Sequence, residues 1–375
     1  MSKSHSPRGD RGVDSRDPRL QRIITSALDG AEILKVTALK SDTIEASVTA
    51  KDIGYGAPLR IDVRHEGQLK SLVLHSATPN AFGHEYRANR AEEMLIAADT
   101  FELVPRHTRV FEVGAFRGEE FVSLRGTGEF YLLTEYADGC PYAQDLRRIA
   151  ETGALRPEDL QRVDTLVHYL VDTHSIKLPD TSLYTRSIRD LVGSGEGIFG
   201  IIDGYPPHAE GTSADQLESI EALCVGWRSR LKHRYRRLVR IHGDFHPFNV
   251  LFDERSKLHL LDASRGSAGD AADDVCAMAV NFLFFALDNP RSWLTALQPL
   301  WRRFWARYLE QSRDSELLEV VAPFLAWRCL VLANPVWYPH LPAAARMNLL
   351  NFAIHALRAP KFNPESANEL FATSI

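Results

Sequence analysis

The chain has 375 residues, of which 45% are hydrophobic and 25% are charged. This composition is typical of a folded globular protein, and the length favours two domains or one bilobal unit. The formal net charge of -5 excludes a global basic field, so we predict neither a nucleic-acid partner nor attachment to an anionic membrane. Any anionic ligand must therefore be held by local groups.

The first residues, MSKSHSPRGDRGVDSRDPRL, are polar and alternate in charge sign. They predict a disordered tail over residues 1–20, and they lack the apolar stretch of a secretory signal, which indicates a cytoplasmic protein. The apolar run CAMAVNFLFFAL is too short to span a bilayer and predicts a buried helix. No CxxC pair occurs, so we expect four reduced cysteines, which are Cys140, Cys224, Cys276 and Cys329.

Residues 21–138 predict a small sheet with one helix. Three segments alternate in a strand-like way and favour three antiparallel strands, namely TIEASVTAKDIGYG, PLRIDVRHEG and QLKSLVLHS. The next segment, NAFGHEYRANRAEEMLIAADTF, has the composition and length of a helix. Two further strand-like segments, TRVFEVGAF and GEFYLLTEY, complete this first lobe.

Residues 139–375 predict a mainly helical second lobe. Helical patterns occur in AQDLRRIAET, PEDLQRVDTLVHYLVDTHSI and SADQLESIEALCVGWRSRLKHRY, and they resume from Ala271 to the end. Two short strand-like pieces, RLVRIHGDF and KLHLLDAS, are set into this helical region. Between them lies a polar motif, so we predict a hairpin that carries polar groups at its mouth.

The polar motif, HGDFHPFN, lies in otherwise apolar surroundings. It contains Asp244 and Asn249, and Asp262 follows at the end of the next strand-like piece. Phosphoryl transfer requires a carboxylate that orients the attacking hydroxyl and oxygen ligands that hold Mg²⁺ on a nucleoside triphosphate. These three side chains match those requirements, with Asp244 as the catalytic residue and Asn249 and Asp262 as metal ligands.

HGDFHPFN resembles the H-x-D-x-x-x-x-N catalytic loop of the protein-kinase superfamily, in the form typical of the aminoglycoside phosphotransferase and choline kinase group. LLDASRGSAGDAADDV resembles the block that follows in that group. The resemblance implies an α+β, bilobal, protein-kinase-like fold with a small antiparallel sheet lobe and a larger helical lobe. It also implies that Asp270 and Asp274 are structural residues near the site, and we expect His242 to hold the loop.

The likeness extends into the first lobe and implies where ATP or GTP would bind. GYG occupies the place of the phosphate-covering loop, HEYRANRAEEM resembles the first large helix with its ion-pair glutamate, and FYLLTEYADG resembles the strand and hinge that meet adenine. The implied nucleotide-binding residues are Gly54, Gly56, His75, Glu85, Glu135, Tyr136 and Ala137.

His75 stands where this family usually has the lysine that grips the α and β phosphates. Protonated His75 beside Glu85 would replace that charge in part, and Arg60 or Arg64 would be an alternative displaced cation. Ser264 and Arg265 stand where many relatives carry a second carboxylate, two residues after the metal-binding aspartate. We expect Arg265 to contact a phosphate or to pair with an aspartate, Asp270. A further departure, Ala271 in place of proline, is expected to alter only local rigidity.

The sequence favours an enzyme that moves the γ-phosphate of ATP or GTP to a hydroxyl of a small molecule, and it leaves the acceptor and the oligomeric state open. Alternatives are a pseudokinase that binds nucleotide without turnover, and a kinase-like enzyme that transfers another part of the nucleotide. HGDFHPFN could also be a buried polar turn. His242 and His246 could serve a metal-dependent hydrolase, although Pro247 disfavours a helix that would align them.

Overall fold

The structure is a computed structural model, and it describes residues 17–39, 58–81, 83–193, 195–263 and 265–371. The chain divides into two compact units, and the boundary lies between Leu133 and Thr134. The sequence predicted this boundary after residue 138. The first unit contains small antiparallel sheets and the second is mostly helical, so the α+β class is confirmed.

The first unit begins with helix α1 (Pro18–Ala27). The side chain of Asp17 accepts the N–H of Arg19 at 2.9 Å, and a proline fills the first helical turn, as is common at helix N-termini. Leu20 and Ile24, one turn apart, are buried in the core of this unit. The described part of the predicted tail, residues 17–20, therefore starts a helix instead of being disordered.

A three-stranded antiparallel sheet follows, with strands β1 (Glu32–Ala38), β2 (Leu59–His65) and β3 (Gln68–Leu74) in that order. The hairpin between β2 and β3 turns at Glu66 and Gly67, which both have the positive φ that two-residue hairpin turns require. The sequence predicted β2 and β3. The predicted strand in TIEASVTAKDIGYG lies entirely outside the described residues, and the strand that pairs with the outer edge of β2 is EILKVTA.

The rest of the first unit comprises helix α2 (Arg87–Thr100), a short 3-10 turn (Phe101–Leu103) and a hairpin of β4 (Gly114–Arg117) and β5 (Glu120–Ser123). The predicted strand in GEFYLLTEY is wrong. This stretch has no regular structure, and Tyr131 is 93% exposed. Its alternating pattern favours a strand, but among the described strands none supplies the backbone hydrogen bonds that a strand needs.

The second unit contains ten α-helices within the described ranges. They are α3 (Tyr142–Thr152), α4 (Pro157–His174), α5 (Ser182–Val192), α6 (Ile198–Asp203), α7 (Ala214–Leu231), α8 (Ala271–Leu287), α9 (Gln298–Ser312), α10 (Leu317–Val320), α11 (Ala322–Ala333) and α12 (Ala343–Arg358). A π-helical turn (Trp293–Leu297) and 3-10 turns (Tyr235–Arg237 and Pro364–Phe371) complete them.

One hydrophobic core extends through these helices. Helix α8 is buried on nearly every side, which confirms the buried helix predicted from CAMAVNFLFFAL. Trp293, Trp301 and Trp305 are almost fully buried and stack edge to face within the same core. All four cysteines are free thiols. Among the described residues, no helix combines the length and the apolar composition needed to cross a membrane.

Two small sheets frame the polar motif. Strand β7 (Leu238–Arg240) pairs antiparallel with β10 (Ala268–Asp270), whereas β8 (Val250–Phe252) pairs with β6 (Cys140–Pro141) and β9 (Leu258–Leu260). The predicted hairpin of RLVRIHGDF with KLHLLDAS is therefore wrong, because these two pieces belong to different sheets. The chain leaves β7, forms the polar loop of residues 241–249, and returns as β8.

Candidate active site

Asp274 holds the loop of residues 241–249 in place. It lies in the first turn of α8 and is fully buried. Its carboxylate accepts the backbone N–H groups of His242 at 2.6 Å and Gly243 at 2.9 Å, and it pairs with Nε2 of His174 at 3.2 Å. Burial opposes its ionisation, yet the hydrogen bonds from His174 and the two amides hold the pKa of Asp274 below its ordinary value. The loop backbone is thus fixed by a buried charge.

Gly243 shows why this loop needs a glycine. Its φ of 87° lies in the left-handed region, and a Cβ added there would approach the carbonyl oxygen of Gly266 to 2.5 Å. The chain turns sharply at this residue and brings the next one, Asp244, to the surface of a pocket. A larger residue at position 243 would displace that carboxylate.

Asp244 is surrounded by positively charged and polar groups. Its Oδ1 accepts hydrogen bonds from Nη1 of Arg328 at 2.9 Å and from Nη2 of Arg265, and its Oδ2 lies 3.4 Å from Nε2 of His246. Burial disfavours the charged form, but the hydrogen bond from His246 and the charges of Arg328 and Arg265 outweigh it. They hold the pKa of Asp244 well below its ordinary value, so the carboxylate is ionised at neutral pH.

Asn249 lies at the other end of the same loop and contacts Asp244 directly. Its Nδ2 donates to the backbone carbonyl of Asp244 at 3.2 Å and lies 3.4 Å from the carboxylate oxygen Oδ2. With the amide nitrogen facing Asp244, the amide oxygen is directed away from that carboxylate. The structure therefore brings Asp244 and Asn249 together, as the motif predicted.

Asp262 follows β9 and is joined to Asn249 through its neighbour, because the N–H of Leu261 donates to the carbonyl oxygen of Asn249 at 2.9 Å. Asn249 and Asp262 thus belong to the same end of the β8–β9 hairpin. Asp262 is exposed and has a φ of 48°. Non-glycine residues in this left-handed region are uncommon, and they concentrate at functional sites.

His242 is buried and contacts the loop that contains it. Its Nδ1 accepts the N–H of Asp244 at 3.3 Å, and its ring packs edge to face on Phe245. Burial lowers the pKa of His242 and favours the neutral imidazole that can accept this bond. In the described part of the chain, no three His, Cys, Asp or Glu side chains cluster closely enough to hold a metal.

Asp270 caps α8 by accepting the N–H of Ala272 at 3.0 Å and forms a two-pronged ion pair with Arg237. Tyr184 donates a further hydrogen bond to it at 2.9 Å. The predicted alternative of an Arg265–Asp270 pair is therefore wrong. Arg265 lies against Asp244 instead.

Arg328 and Asp273 are the residues that the sequence reasoning missed. Arg328 is buried in the apolar helix α11, between Asp244 and Asp273, and its Nη2 donates to Asp273 at 3.0 Å. Burial, which the nearby Arg328 charge only partly offsets, raises the pKa of Asp273 to about 6. The sequence did contain one signal for this contact, which is an arginine within an apolar helical segment. Arginine is rarely buried unless it is paired, so Arg328 indicated an acidic partner.

A pocket of about 190 Å³ opens beside Asp244, and its described lining residues all belong to the second unit. Its charged lining comprises Glu196, Asp244, Arg265 and Arg328, and its aromatic lining comprises Phe248, Trp337 and Tyr338. The guanidinium carbons of Arg265 and Arg328 lie 4.6 Å and 4.1 Å from the ring centre of Trp327. The pocket therefore combines paired charges with an apolar wall.

The structure locates only some of the nucleotide-binding residues that were predicted in the first unit. Gly54 and Gly56 lie outside the described residues. His75 directly follows β3. Glu85 lies before α2 and not within it, which corrects the predicted helix start, and its backbone carbonyl accepts Nη1 of Arg90 at 3.2 Å.

The structure also locates the residues predicted to meet the base and the two arginines considered as replacement cations. Glu135, Tyr136 and Ala137 lie in an extended segment without regular structure. The candidate replacement cations both form ion pairs on the sheet, Arg60 with Asp62 at 2.9 Å and Arg64 with Glu32 at 3.0 Å. Both of these arginines are about half exposed.

Comparison with solved structures found matches to several kinases at low sequence identity. A glucosamine kinase shares 14% identity and a TM-score of 0.37, covering 62% of this chain and 58% of its own. The choline kinase LicA from Streptococcus pneumoniae shares 14% identity and a TM-score of 0.34, covering 90% and 97%. An amicoumacin kinase in complex with AMP-PNP and Ca²⁺ shares 13% identity and a TM-score of 0.40, covering 88% and 91%. The chain thus spans less than two thirds of the glucosamine kinase.

A search of curated proteins found no match. The profile of the phosphotransferase enzyme family (APH) matches residues 122–324, which is more than half of the chain. The matched segment includes the loop of residues 241–249, Asp262 and the start of α8. The chain therefore belongs to the phosphotransferase enzyme family.

Proposed function

We propose that the protein transfers the γ-phosphoryl group of ATP or GTP to a hydroxyl group of a small molecule. The observation that carries the proposal is the contact of Asp244 with Asn249 in one rigid loop, with Asp262 at the same end of the adjoining hairpin. Membership of the phosphotransferase family supports the reaction class. Family membership does not identify the acceptor.

In this proposal the acceptor hydroxyl occupies the pocket and donates a hydrogen bond to Asp244. A carboxylate with a lowered pKa is a weak base, so Asp244 orients the hydroxyl and receives its proton only as the new bond forms. The acceptor oxygen bonds to the γ-phosphorus while the bond from that phosphorus to the β–γ bridging oxygen breaks. The products are a phosphate ester and the nucleoside diphosphate.

Asn249 and Asp262 are the proposed ligands of Mg²⁺. Both supply oxygen atoms, which Mg²⁺ prefers, and Mg²⁺ usually keeps waters and substrate phosphate oxygens beside one or two protein ligands. Bound Mg²⁺ would neutralise charge on the β and γ phosphates.

The nucleotide would also contact residues outside the pocket. Backbone groups of residues 135–137 are proposed to meet the base, and Gly54 and Gly56 are proposed to cover the phosphates. His75 with Glu85 is proposed to replace the missing lysine. The ion pairs of Arg60 and Arg64 on the sheet favour His75 over these arginines as the cation.

Calorimetric titration tests the proposal, with ATP, GTP and ADP added to the folded protein in the presence and absence of Mg²⁺. We expect Mg²⁺-dependent nucleotide binding by the wild type and its loss in Asp262→Asn. Glu254→Gln is the matched control, because Glu254 is an exposed carboxylate in the turn at the opposite end of the same hairpin. Failure of the folded wild type to bind any nucleotide would contradict the proposal and leave a scaffold as the better explanation.

A further inference from the structure

The charged groups of the pocket beside Asp244 indicate which kind of acceptor it can bind. Its two acidic lining residues, Asp244 and Glu196, both contact arginine. Asp244 accepts from Arg265 and Arg328 on the same oxygen, and Oε2 of Glu196 lies 3.3 Å from Nη1 of Arg265. Within the described lining, a cationic acceptor therefore meets no carboxylate that is not already paired with an arginine.

The arginines, in contrast, retain donor capacity. Arg328 donates one bond from each terminal nitrogen, to Asp244 and to Asp273, and its buried Nε has no hydrogen-bond partner among the described residues. Arg265 donates from Nε to the carbonyl oxygen of Gly243 and once from each terminal nitrogen. Because each terminal nitrogen carries two hydrogens, both guanidinium groups have N–H groups left over.

The two arginines present their N–H groups close together. The two guanidinium groups converge on a single oxygen of Asp244, and they flank the same tryptophan ring. Asp244, Asp273 and Glu196 balance the two positive charges, so the preference for an anion rests on the directed N–H donors and not on net charge. Planar guanidinium groups bind carboxylate and phosphate oxygens well through paired hydrogen bonds.

The size of the pocket limits the acceptor further. Its volume of about 190 Å³ is below the roughly 300–1,000 Å³ that is typical of pockets for drug-sized ligands. This space suits a short chain or a single sugar ring better than a molecule of several rings. Phe248 and Trp337, both partly exposed, provide an apolar wall for its carbon skeleton.

We infer that the acceptor is a small hydroxyl compound with an anionic oxygen group, a carboxylate or a phosphate, that pairs with Arg265 and Arg328. This inference rests on the proposed function and specifies its substrate class. The Arg265 side chain is 24% exposed and that of Arg328 only 8%, so Arg265 is the one able to turn toward the ligand. When it does, Oδ1 of Asp244 loses one of its two arginine contacts and becomes available to the hydroxyl.

Binding measurements test this inference without requiring turnover. Calorimetry with the full chain and Mg²⁺-ADP compares two sets of small hydroxyl compounds whose members differ in charge. The first set is glucose, glucosamine, glucuronate and glucose 6-phosphate, and the second is glycerol, ethanolamine, glycerate and glycerol 3-phosphate. We expect an anionic member of one set to bind about tenfold or more tightly than its neutral and cationic counterparts. Comparison of the carboxylate with the phosphate compound identifies which anion is preferred.

Variants of Arg265 provide a second test of the inference. Arg265→Gln is expected to weaken binding of the preferred anion by about tenfold or more, and Arg265→Lys is expected to retain part of it. Arg255→Gln is the matched control, because Arg255 is an exposed arginine in the turn between β8 and β9. It is expected to bind like the wild type.

Three results would overturn the inference: tighter binding of the cationic members, unchanged anion binding in Arg265→Gln, or no binding of any anionic member. A separate titration of the same protein preparation with Mg²⁺-ADP distinguishes this failure from that of the proposed function. Retained nucleotide binding without a preference for anions contradicts only the acceptor class. Absence of nucleotide binding contradicts the proposed function itself.

Discussion

The two units of this protein handle charge in opposite ways. In the second unit, the charged groups that hold the polar loop are buried and have several partners, as for Asp274 with two backbone amides and His174. In the first unit, the ion pairs on the three-stranded sheet are exposed one-to-one contacts such as Arg64 with Glu32. The more rigid charge network therefore resides in the second unit, because buried networks fix positions and exposed pairs contribute little.

The largest expected effect follows replacement of the proposed catalytic carboxylate. Asp244→Asn keeps the size of the side chain but removes the charge that orients the hydroxyl, so we expect phosphotransfer to fall by about 10²- to 10⁴-fold. Mg²⁺-dependent nucleotide binding should persist, in contrast to Asp262→Asn. Steady-state kinetics and calorimetry on the same preparations check this, and a variant with full activity would show that the network does not serve catalysis.

A large effect on stability is expected for Asp274→Ala. This change removes a buried carboxylate and leaves His174 and two amide groups of the loop without their acceptor, which should cost about 3–5 kcal/mol. Urea unfolding followed by tryptophan fluorescence measures it, because all six tryptophans lie in the second unit. A loss below about 1 kcal/mol would mean that the network is not what holds the loop.

A smaller, pH-dependent effect is expected from Asp273. Its pKa is raised from 3.8 to about 6 in the folded protein, chiefly by burial, so the folded state holds this proton more tightly than the unfolded state. Its contribution to stability is then fully present below pH 4 and is lost as the pH rises through about 6. The difference in unfolding free energy between wild type and Asp273→Asn should therefore decline over that range. A difference independent of pH would contradict the shifted pKa.

The smallest effect is expected in the first unit. Arg64→Gln breaks an exposed ion pair, so we expect the unfolding free energy to change by less than about 1 kcal/mol. The first unit contains no tryptophan, so hydrogen exchange of its sheet amides is the suitable measurement. A change as large as that of Asp274→Ala would remove the distinction between the two units.

Local patterns predicted the helices of the second unit well. AQDLRRIAET, PEDLQRVDTLVHYLVDTHSI and the run from Ala271 form α3, α4 and α8, because their apolar periodicity is matched by one large core. The likeness of HGDFHPFN to the aminoglycoside phosphotransferase and choline kinase group is confirmed by the family match. The contact of Asp244 with Asn249 is local, since both lie in one short loop.

Contacts between distant segments could not be predicted in the same way. The pairing of β7 with β10, and not with β9, depends on the path of the chain rather than on alternation. Arg328 reaches Asp244 from 84 residues away, in a helix whose pattern indicates only a buried position. In the first unit, the alternation of GEFYLLTEY favoured a strand, but a strand also requires an available edge to pair with.

The most direct test of the central claim is the mass of the product that the enzyme forms from Mg²⁺-ATP and a small-molecule extract. The account predicts that the wild type yields a compound heavier by one phosphate group, together with ADP, and that Asp244→Asn yields almost none. A product heavier by a nucleotide, or equal product from both proteins, would contradict the claim that Asp244 directs γ-phosphoryl transfer to a hydroxyl.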